Sequence, residues 1–572
     1  MPNVRTDSIR RRAFLRYCGG LGLGSTLFPG ALWARSEEGQ VEITVAMIDH
    51  AARLAGLSFS AENLEQMLAG IKANLASFET LRSIPIDQNV PPPLYFNPAV
   101  PGQSFSDEQT PFSLDERPPV SRPLNLEDVA FWPVTDLAAL IRTRQVTPTE
   151  LTQMYLARVK RYDPVLRCII TLTEERALEQ ARRADEEIAG GRYRGLLHGI
   201  PWGAKDLLAT RAYRTTWGFK AYEDQVIDMD ATVVQRLDEA GAVLIAKLST
   251  GEIARGDQWL GIQTKNPWKT DEGSGGSSAG PASATAAGLV GFSIGTDTTG
   301  SILGPSRTCG ITGLRPTFGR VSRHGVMPVC WSLDKVGPMC RSVEDCAIVF
   351  DAIYGPDGQD LAVVDKPFNW NGKSTADGLR VGFLETAFDR EDPDAGEQTA
   401  RQNDFRTLDT LRSLGVALKP VSLPEHADMD ALQMLLVDEA AAFDELVHDG
   451  RIDLFRQDID DPEDMLMRIA RLHPAVEYLQ INRRRMLLMQ GMAQVFEDID
   501  VLVAPFAGSP VQSATSLTGH PSVAVPNGFN DDGTPTGIQF IGQLYGESNA
   551  LQLAKLFQDS TGAHLRRPAG FS

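Results

Sequence analysis

The sequence predicts an α/β fold, a large central β-sheet covered by helices and preceded by a small helical arm. Short apolar runs at 242–245, 289–294, 379–383 and 501–503 alternate with helical periodicity at 138–159, 398–414 and 474–496, as expected of strands interleaved with covering helices. From 131 to 572 no second linker as marked as the one before residue 130 interrupts the chain, and a polar, Gly- and Asp-rich excursion at 355–378 separates only two halves. One large domain is therefore the economical reading. No repeat of about 20 to 50 residues is visible, so a solenoid is not indicated.

Ahead of that domain the chain reads in three parts. Residues 10–16 are Arg-Arg-Arg-Ala-Phe-Leu-Arg, followed by a weakly apolar, Gly-rich run to Trp33. This resembles a twin-arginine export leader over residues 1–35, which would place the folded protein in the periplasm or outside the cell. The alternative is a basic tail on a cytoplasmic protein. Over 36–83, Ile43, Met47, Ile48, Ala51, Leu54 and then Leu64, Met67, Leu68, Ile71, Leu75 recur at helical spacing, with Ser60 as the N-cap between them. Two amphipathic helices are expected. From 84 to 130 the chain becomes an extended strap, since ten of the 35 prolines fall there, including Pro91-Pro92-Pro93.

Composition excludes several classes. With 42% hydrophobic and 23% charged residues in 572, the chain is of ordinary globular make-up. No clean run of about 18 apolar residues marks a stable membrane insertion. The net charge of −19 has the wrong sign for a protein gripping phosphate backbones, so nucleic acid is not expected as the ligand. Six cysteines show no C-x-x-C pair and no zinc spacing with histidine, so no metal is implied.

The most informative stretch is 273–306, rich in glycine and serine, with Asp297 as its only charged side chain. A flexible linker does not fit, because 282–294 reads as an Ala-rich helix leading into an apolar strand. Neither phosphate-binding fingerprint fits: Gly-Lys-Ser/Thr is missing, and Ser278 stands where the dinucleotide pattern needs glycine. Gly276-Ser277-Ser278-Ala279-Gly280 formally matches the G-x-S-x-G nucleophile elbow, but the polar residues before it form no leading strand of the kind that elbow requires.

Three ordered blocks carry a more specific resemblance. His198-Gly199-Ile200-Pro201-Trp202-Gly203-Ala204-Lys205-Asp206, Gly275-Gly276-Ser277-Ser278 and Asp297-Thr298-Thr299-Gly300-Ser301, with a separation of 24 residues from Ser277 to Ser301, resemble the amidase signature family. Similarity continues through 310–322, 517–521 and 537–542. The resemblance implies the amidase signature fold with its mixed central sheet. It also implies a Ser-Ser-Lys triad, with Ser301 as nucleophile, Ser277 as bridging serine after a cis peptide bond, and Lys205 as base. The backbone N–H groups of Thr298, Thr299, Gly300 and Ser301 would form the oxyanion hole, with Gly276, Ser278 and Asp297 in support. The helices and strap over about 41–95 are similar to the small C subunit of tRNA-dependent amidotransferases.

The chemistry is coherent. An amide carbonyl is a poor electrophile, so a serine hydroxyl must lose its proton as it attacks. Lysine accepts that proton only when neutral, which burial favours, and a second serine donates and accepts at once. Two positions depart from the family. Thr299 stands where glycine is common, and a β-branched residue resists positive φ. Leu303 stands where arginine is usual, which removes a cation beside the site. Asp297 reads as a structural acceptor for loop N–H groups, and His198 as a satisfied histidine at a strand end.

The expected activity is hydrolysis of a carboxamide to a carboxylate plus ammonia or amine, on a small-molecule amide and without a cofactor. Two alternatives stay open: the glutaminase component of an amidotransferase complex, and a catalytically silent binding protein on the same fold. A homo-oligomer is compatible with the sequence, which carries no code for it.

Overall fold

The computed structural model describes residues 43–82, 84, 96–389, 398–430, 432–455 and 463–571. Residues 1–35, where an export leader is expected, and Pro91-Pro92-Pro93 lie outside the described residues. The chain divides into two compact units. The smaller joins the N-terminal segment to Leu436–Asp453 and Asp458–Arg483, and the larger holds Pro93–Leu435, Leu454–Gln457 and Arg484–Ser572.

In the smaller unit, α1 (Val45–Leu54) begins at Thr44, whose side chain accepts from Met47 N. Next comes α2 (Ala61–Arg82), preceded by Ser60, whose Oγ accepts from Asn63 N at 3.1 Å. Their apolar stripes meet: Ile48, Leu64 and Met67 form one core with Met465 and Ile469 of the helix Glu463–Ala470. Residues 436–453 and 458–483, expected inside the single main domain, therefore group with the arm. The reason is a long-range one, since the apolar face of Glu463–Ala470 finds its partner about 400 residues earlier in the chain, and no local signal marks that pairing.

The larger unit is built on an 11-stranded sheet. In chain order its strands are β1 (Ile169–Leu172), β2 (Pro201–Lys205), β3 (Val243–Leu248), β4 (Phe292–Asp297), β5 (Thr312–Arg315) and β6 (Lys335–Cys340). They continue with β7 (Val381–Leu384), β8 (Leu418–Val421), β9 (Val501–Pro505), β10 (Ser522–Phe529) and β11 (Pro535–Gly542). The spatial order is β1-β3-β2-β4-β6-β5-β10-β11-β9-β7-β8. Strands β3, β2 and β4 run parallel, as do β9, β7 and β8, while the middle pairings from β4 through β6, β5, β10 and β11 to β9 are antiparallel. The mixed sheet expected from the sequence is present. Strands β3, β4 and β9 are buried at every residue, which is why the runs at 242–245, 289–294 and 501–503 are continuously apolar rather than alternating.

Local chemistry sets the boundaries. The helical pattern at 138–159 is two helices, Val134–Arg142 and Pro148–Leu166, because Thr147 and Glu150 form a capping box and Pro148 sits at the first helical turn. The Ala-rich segment is α3 (Ala279–Ala286), which feeds β4, and α4 (Leu303–Cys309) follows the loop after β4. All five described cysteines are buried free thiols. No described helix is long and apolar enough to cross a membrane.

Three lysines, Lys205, Lys247 and Lys335, are buried within these strands. Lys247 on β3 meets Asp206 at 2.7 Å, with both side chains fully buried, and donates to Thr215 Oγ1 at 3.0 Å. Removing one partner of such a pair leaves an uncompensated charge in the interior. Asp206→Asn should lower the unfolding free energy by about 3–5 kcal/mol, and the paired change Asp206→Leu with Lys247→Met should recover only part of it, read by urea denaturation, because Thr216 N and Oγ1 lose Asp206 Oδ2 as their acceptor.

Candidate active site

Because β3, β2 and β4 are parallel, their carboxyl ends open on one edge of the sheet, where α/β folds gather ligand-binding residues. Lys205 is the last residue of β2 and fully buried. Its Nζ donates to Ser277 Oγ at 2.8 Å and to Thr296 Oγ1 at 2.8 Å, with Thr296 O at 3.5 Å. Both close partners are hydroxyls. Burial pushes the Lys205 ammonium down to about 7, against the Asp297 and Asp334 carboxylates, which pull it up.

Ser277 is 2% exposed and follows a cis Gly276–Ser277 peptide bond. The loop after β3 lies against it: Gly251 N donates to Ser277 O at 3.4 Å, and a Cβ on Gly276 would fall 1.8 Å from Gly256 O. Ser278 precedes α3 and spends its side chain on β4, with Oγ donating to Thr296 O at 3.1 Å and accepting from Thr296 N at 3.2 Å. Ser278 N donates to Ser301 O at 3.1 Å. Ser277 and Ser301 thus belong to backbone segments that are hydrogen-bonded together. Lys205 and Ser277 are joined by a side-chain hydrogen bond, and Ser301 is tied to this serine loop through its carbonyl.

Asp297 anchors the loop after β4. Its Oδ1 accepts from Gly300 N at 2.8 Å, and its Oδ2 accepts from Ile302 N at 2.8 Å and Leu303 N at 3.4 Å. Arg315 faces it at 3.6 Å. Gly300 therefore departs from the expected oxyanion set, because its N–H is engaged by Asp297 inside the loop. Thr298, Thr299 and Ser301 remain from that set. The concern over Thr299 is removed by the backbone: the positive φ falls on Gly300, at +139°, and Thr299 is outside the left-handed region.

Three residues near the loop escaped the sequence reading. Thr296 holds Lys205 by its hydroxyl, Gln512 donates to Thr299 O at 2.9 Å, and Lys335 on β6 donates to Thr298 O at 3.4 Å. Only Thr296 left a local signal, as a hydroxyl directly before the Asp297 block at the end of β4. A cavity of about 230 Å³ adjoins them, lined by Thr296, Thr298 and Lys335 together with apolar Met327, Val329 and Trp331. Neither this cavity nor a more highly charged one, lined by Trp268, Cys309, Arg341 and Glu344, is lined by Lys205, Ser277 or Ser301. His198 accepts from Arg194 N at 3.1 Å, and burial pushes it down to about 4. Among the described residues no cluster of three or more His, Cys, Asp or Glu could hold a metal ion.

Gly300 is the tightest point of the loop. A Cβ there would lie 1.9 Å from Gln512 Nε2, at a φ that side chains rarely adopt. Gly300→Ala should cost about 1–3 kcal/mol in thermal unfolding, and adding Gln512→Ala should relieve the overlap but not the backbone part of that loss.

The amidase family model matches residues 150–515. The glutamyl-tRNA(Gln) amidotransferase A subunit of Methylococcus capsulatus is 36% identical over 489 residues, 77% of this chain and 99% of that protein. Its counterpart in Geotalea daltonii is 35% identical over 485 residues, covering 76% and 98%. Among solved structures, the native peptide amidase of Stenotrophomonas maltophilia superposes with a TM-score of 0.69 at 31% identity, over 78% of this chain and all of that one. With the ordered Lys205, Ser277 and Ser301 blocks on the matching fold, the chain belongs to the amidase signature family.

Proposed function

We propose that this protein hydrolyses the carbon–nitrogen bond of a small-molecule carboxamide through an acyl-enzyme on Ser301. The observation that carries the reading is Lys205, a fully buried amine held at 2.8 Å from Ser277 by a site that burial tunes to about 7. Neutral Lys205 takes the proton of Ser277 as Ser277 takes that of Ser301, and the freed Ser301 Oγ attacks the amide carbon. The oxygen that becomes negative meets backbone N–H groups of the loop after β4, drawn from Thr298, Thr299 and Ser301. Collapse breaks the C–N bond, and the departing nitrogen receives the proton back from Lys205 through Ser277. Water then attacks the Ser301 ester with the same relay, releasing the carboxylate.

A second reading has support of its own, because the curated relatives above are amidotransferase components at 35–36% identity. In that reading the same acyl-enzyme forms on glutamine and the ammonia is passed to a partner. The twin-arginine pattern favours the free hydrolase, since charged tRNA is a cytoplasmic substrate. A silent binding protein is disfavoured by the Lys205–Ser277 hydrogen bond and by the ordinary φ of Thr299.

The test is covalent labelling with a broad serine-directed phosphonate. Wild type should carry one adduct on Ser301 by peptide mapping, and Ser301→Ala and Lys205→Ala should carry none. Because the base must be neutral and its pKa is lowered to about 7, protonation removes it as pH falls. The labelling rate should drop roughly tenfold per unit below about pH 6. A rate that stays level down to pH 5 would exclude Lys205 as the base.

We also propose that residues 1–35 direct export through the twin-arginine route, on the strength of Arg10-Arg11-Arg12-Ala13-Phe14-Leu15-Arg16 and the Gly-rich run after it. Fused to a folded reporter, this segment should deliver it to the periplasm, and Arg11→Lys with Arg12→Lys should retain it in the cytoplasm. Delivery that survives the double change would remove the proposal.

A further inference from the structure

Beneath the loop after β4 lies a cluster of buried cations that the relay through Lys205 does not use. Arg315 on β5, Lys335 on β6 and Arg485 on the helix Ala475–Val495 are each 2% exposed or less. Two of them are well bonded. Arg315 donates to Ser516 Oγ and Thr515 Oγ1 at 2.7 Å each and faces Asp297. Arg485 donates to Leu517 O at 2.6 Å, Ser332 O at 2.8 Å and Ser332 Oγ at 2.7 Å. Lys335 differs. Its Nζ has two long hydrogen bonds, to Thr298 O and Ser516 O at 3.4 Å each.

The first of those acceptors matters because Thr298 C=O and Thr299 N–H belong to one planar peptide unit. We propose that Lys335 is a positioning residue for the oxyanion site: its ammonium holds the Thr298 carbonyl and, through that peptide unit, orients and polarises the N–H of Thr299. A cation at the oxygen end draws electron density from the amide and makes its N–H a stronger donor in a dry, low-dielectric site. The neighbouring peptide is fixed in the same manner by a neutral group, Gln512 on the Thr299 carbonyl, but its N–H belongs to Gly300 and is taken by Asp297. The Thr298–Thr299 unit is thus the one whose carbonyl carries a charge. Leu303 makes this more pointed, since the position where the family usually has arginine supplies no cation here.

The same charge has a pH signature. Lys335 is pushed down to about 7 by burial and by Arg315 and Arg485, and is pulled up by Asp297 and Asp334. From the helix Val511–Thr518 it meets the Ser516 carbonyl, and His520, which feels Arg315, is buried and pushed down to about 3. Lys205 must be neutral for the relay, whereas Lys335 acts in its charged form. Reactivity should therefore rise on the acid side, as Lys205 loses its proton, and decline on the alkaline side as Lys335 loses its own.

This inference rests on the acyl-enzyme reading, and the test separates the two. Full-length wild type, Ser301→Ala and Lys335→Gln are labelled with the phosphonate from pH 5.5 to 9.5 (roughly the window set by two lysines near 7), with thermal unfolding recorded for each. Lys335→Gln should still label on Ser301 but about ten- to hundredfold more slowly at neutral pH, less than the roughly 10²–10³ of deleting an oxyanion donor. The loss should fall on the limiting rate rather than on the half-saturating probe concentration, and the alkaline decline should disappear. Equal labelling by Lys335→Gln with an unchanged profile overturns the inference and leaves the triad standing. If the variant does not fold, the wild-type profile decides: an alkaline decline supports the inference, and a plateau to pH 9.5 overturns it. Absence of any adduct on Ser301 in folded wild type overturns both.

Discussion

Everything at the site depends on how Lys205 is buried. Lys205 and Lys247 stand on adjacent parallel strands, with Lys205 opposite Leu248 and Ala204 opposite Lys247. Strand alternation therefore sends the two side chains to opposite faces of the sheet. On its face Lys247 finds the Asp206 carboxylate at 2.7 Å, a partner that favours its charge. On the other face Lys205 finds the hydroxyls of Ser277 and Thr296. Hydroxyls satisfy an amine whether or not it carries a proton, and a touching carboxylate would not. That difference separates a structural lysine from one poised to act as a base.

The loop after β4 is organised by the opposite charge. Asp297 gathers the N–H groups of Gly300, Ile302 and Leu303 on its two oxygens, so the chain turns tightly from strand into α4. The turn needs one residue at positive φ, and it falls on Gly300. Threonine is therefore tolerated at 299 although its family commonly places glycine there. The anchoring also consumes Gly300 N–H, which donates to Asp297 Oδ1 at 2.8 Å.

Much of this was legible in the sequence. The two N-terminal helices with Ser60 between them, the strands at 243–248, 292–297, 381–384 and 501–505, and the mixed sheet follow from periodicity and from the three blocks. What was not legible is long-range. The helix Glu463–Ala470 packs with α1 and α2, and no local pattern announces a partner so distant in the chain. Gly300 looked like an oxyanion donor because its place in the block suggested it, and only the hydrogen bond to Asp297 reveals its other use. Lys335 and Gln512 are ordinary residues in their own surroundings. They matter because antiparallel pairing sets Lys335 opposite Asp297 and tertiary packing brings Gln512 to the Thr299 carbonyl.

Buried cations are costly, and the way each is compensated shows what it does. Arg315 and Arg485 use their guanidinium forks on short bonds to hydroxyls and carbonyls, which satisfies a permanent charge and makes both structural. Lys335, a point charge, has two acceptors among the described residues, both at 3.4 Å, and burial with two guanidinium neighbours already presses it towards the neutral form. A neutral side chain of similar length would remove that penalty and could pack against the same apolar cavity wall. Stability alone gives no reason for an ammonium at this position. Its contact with the Thr298 carbonyl does, because a charge that is poorly solvated in the resting site gains most when negative charge develops one peptide away.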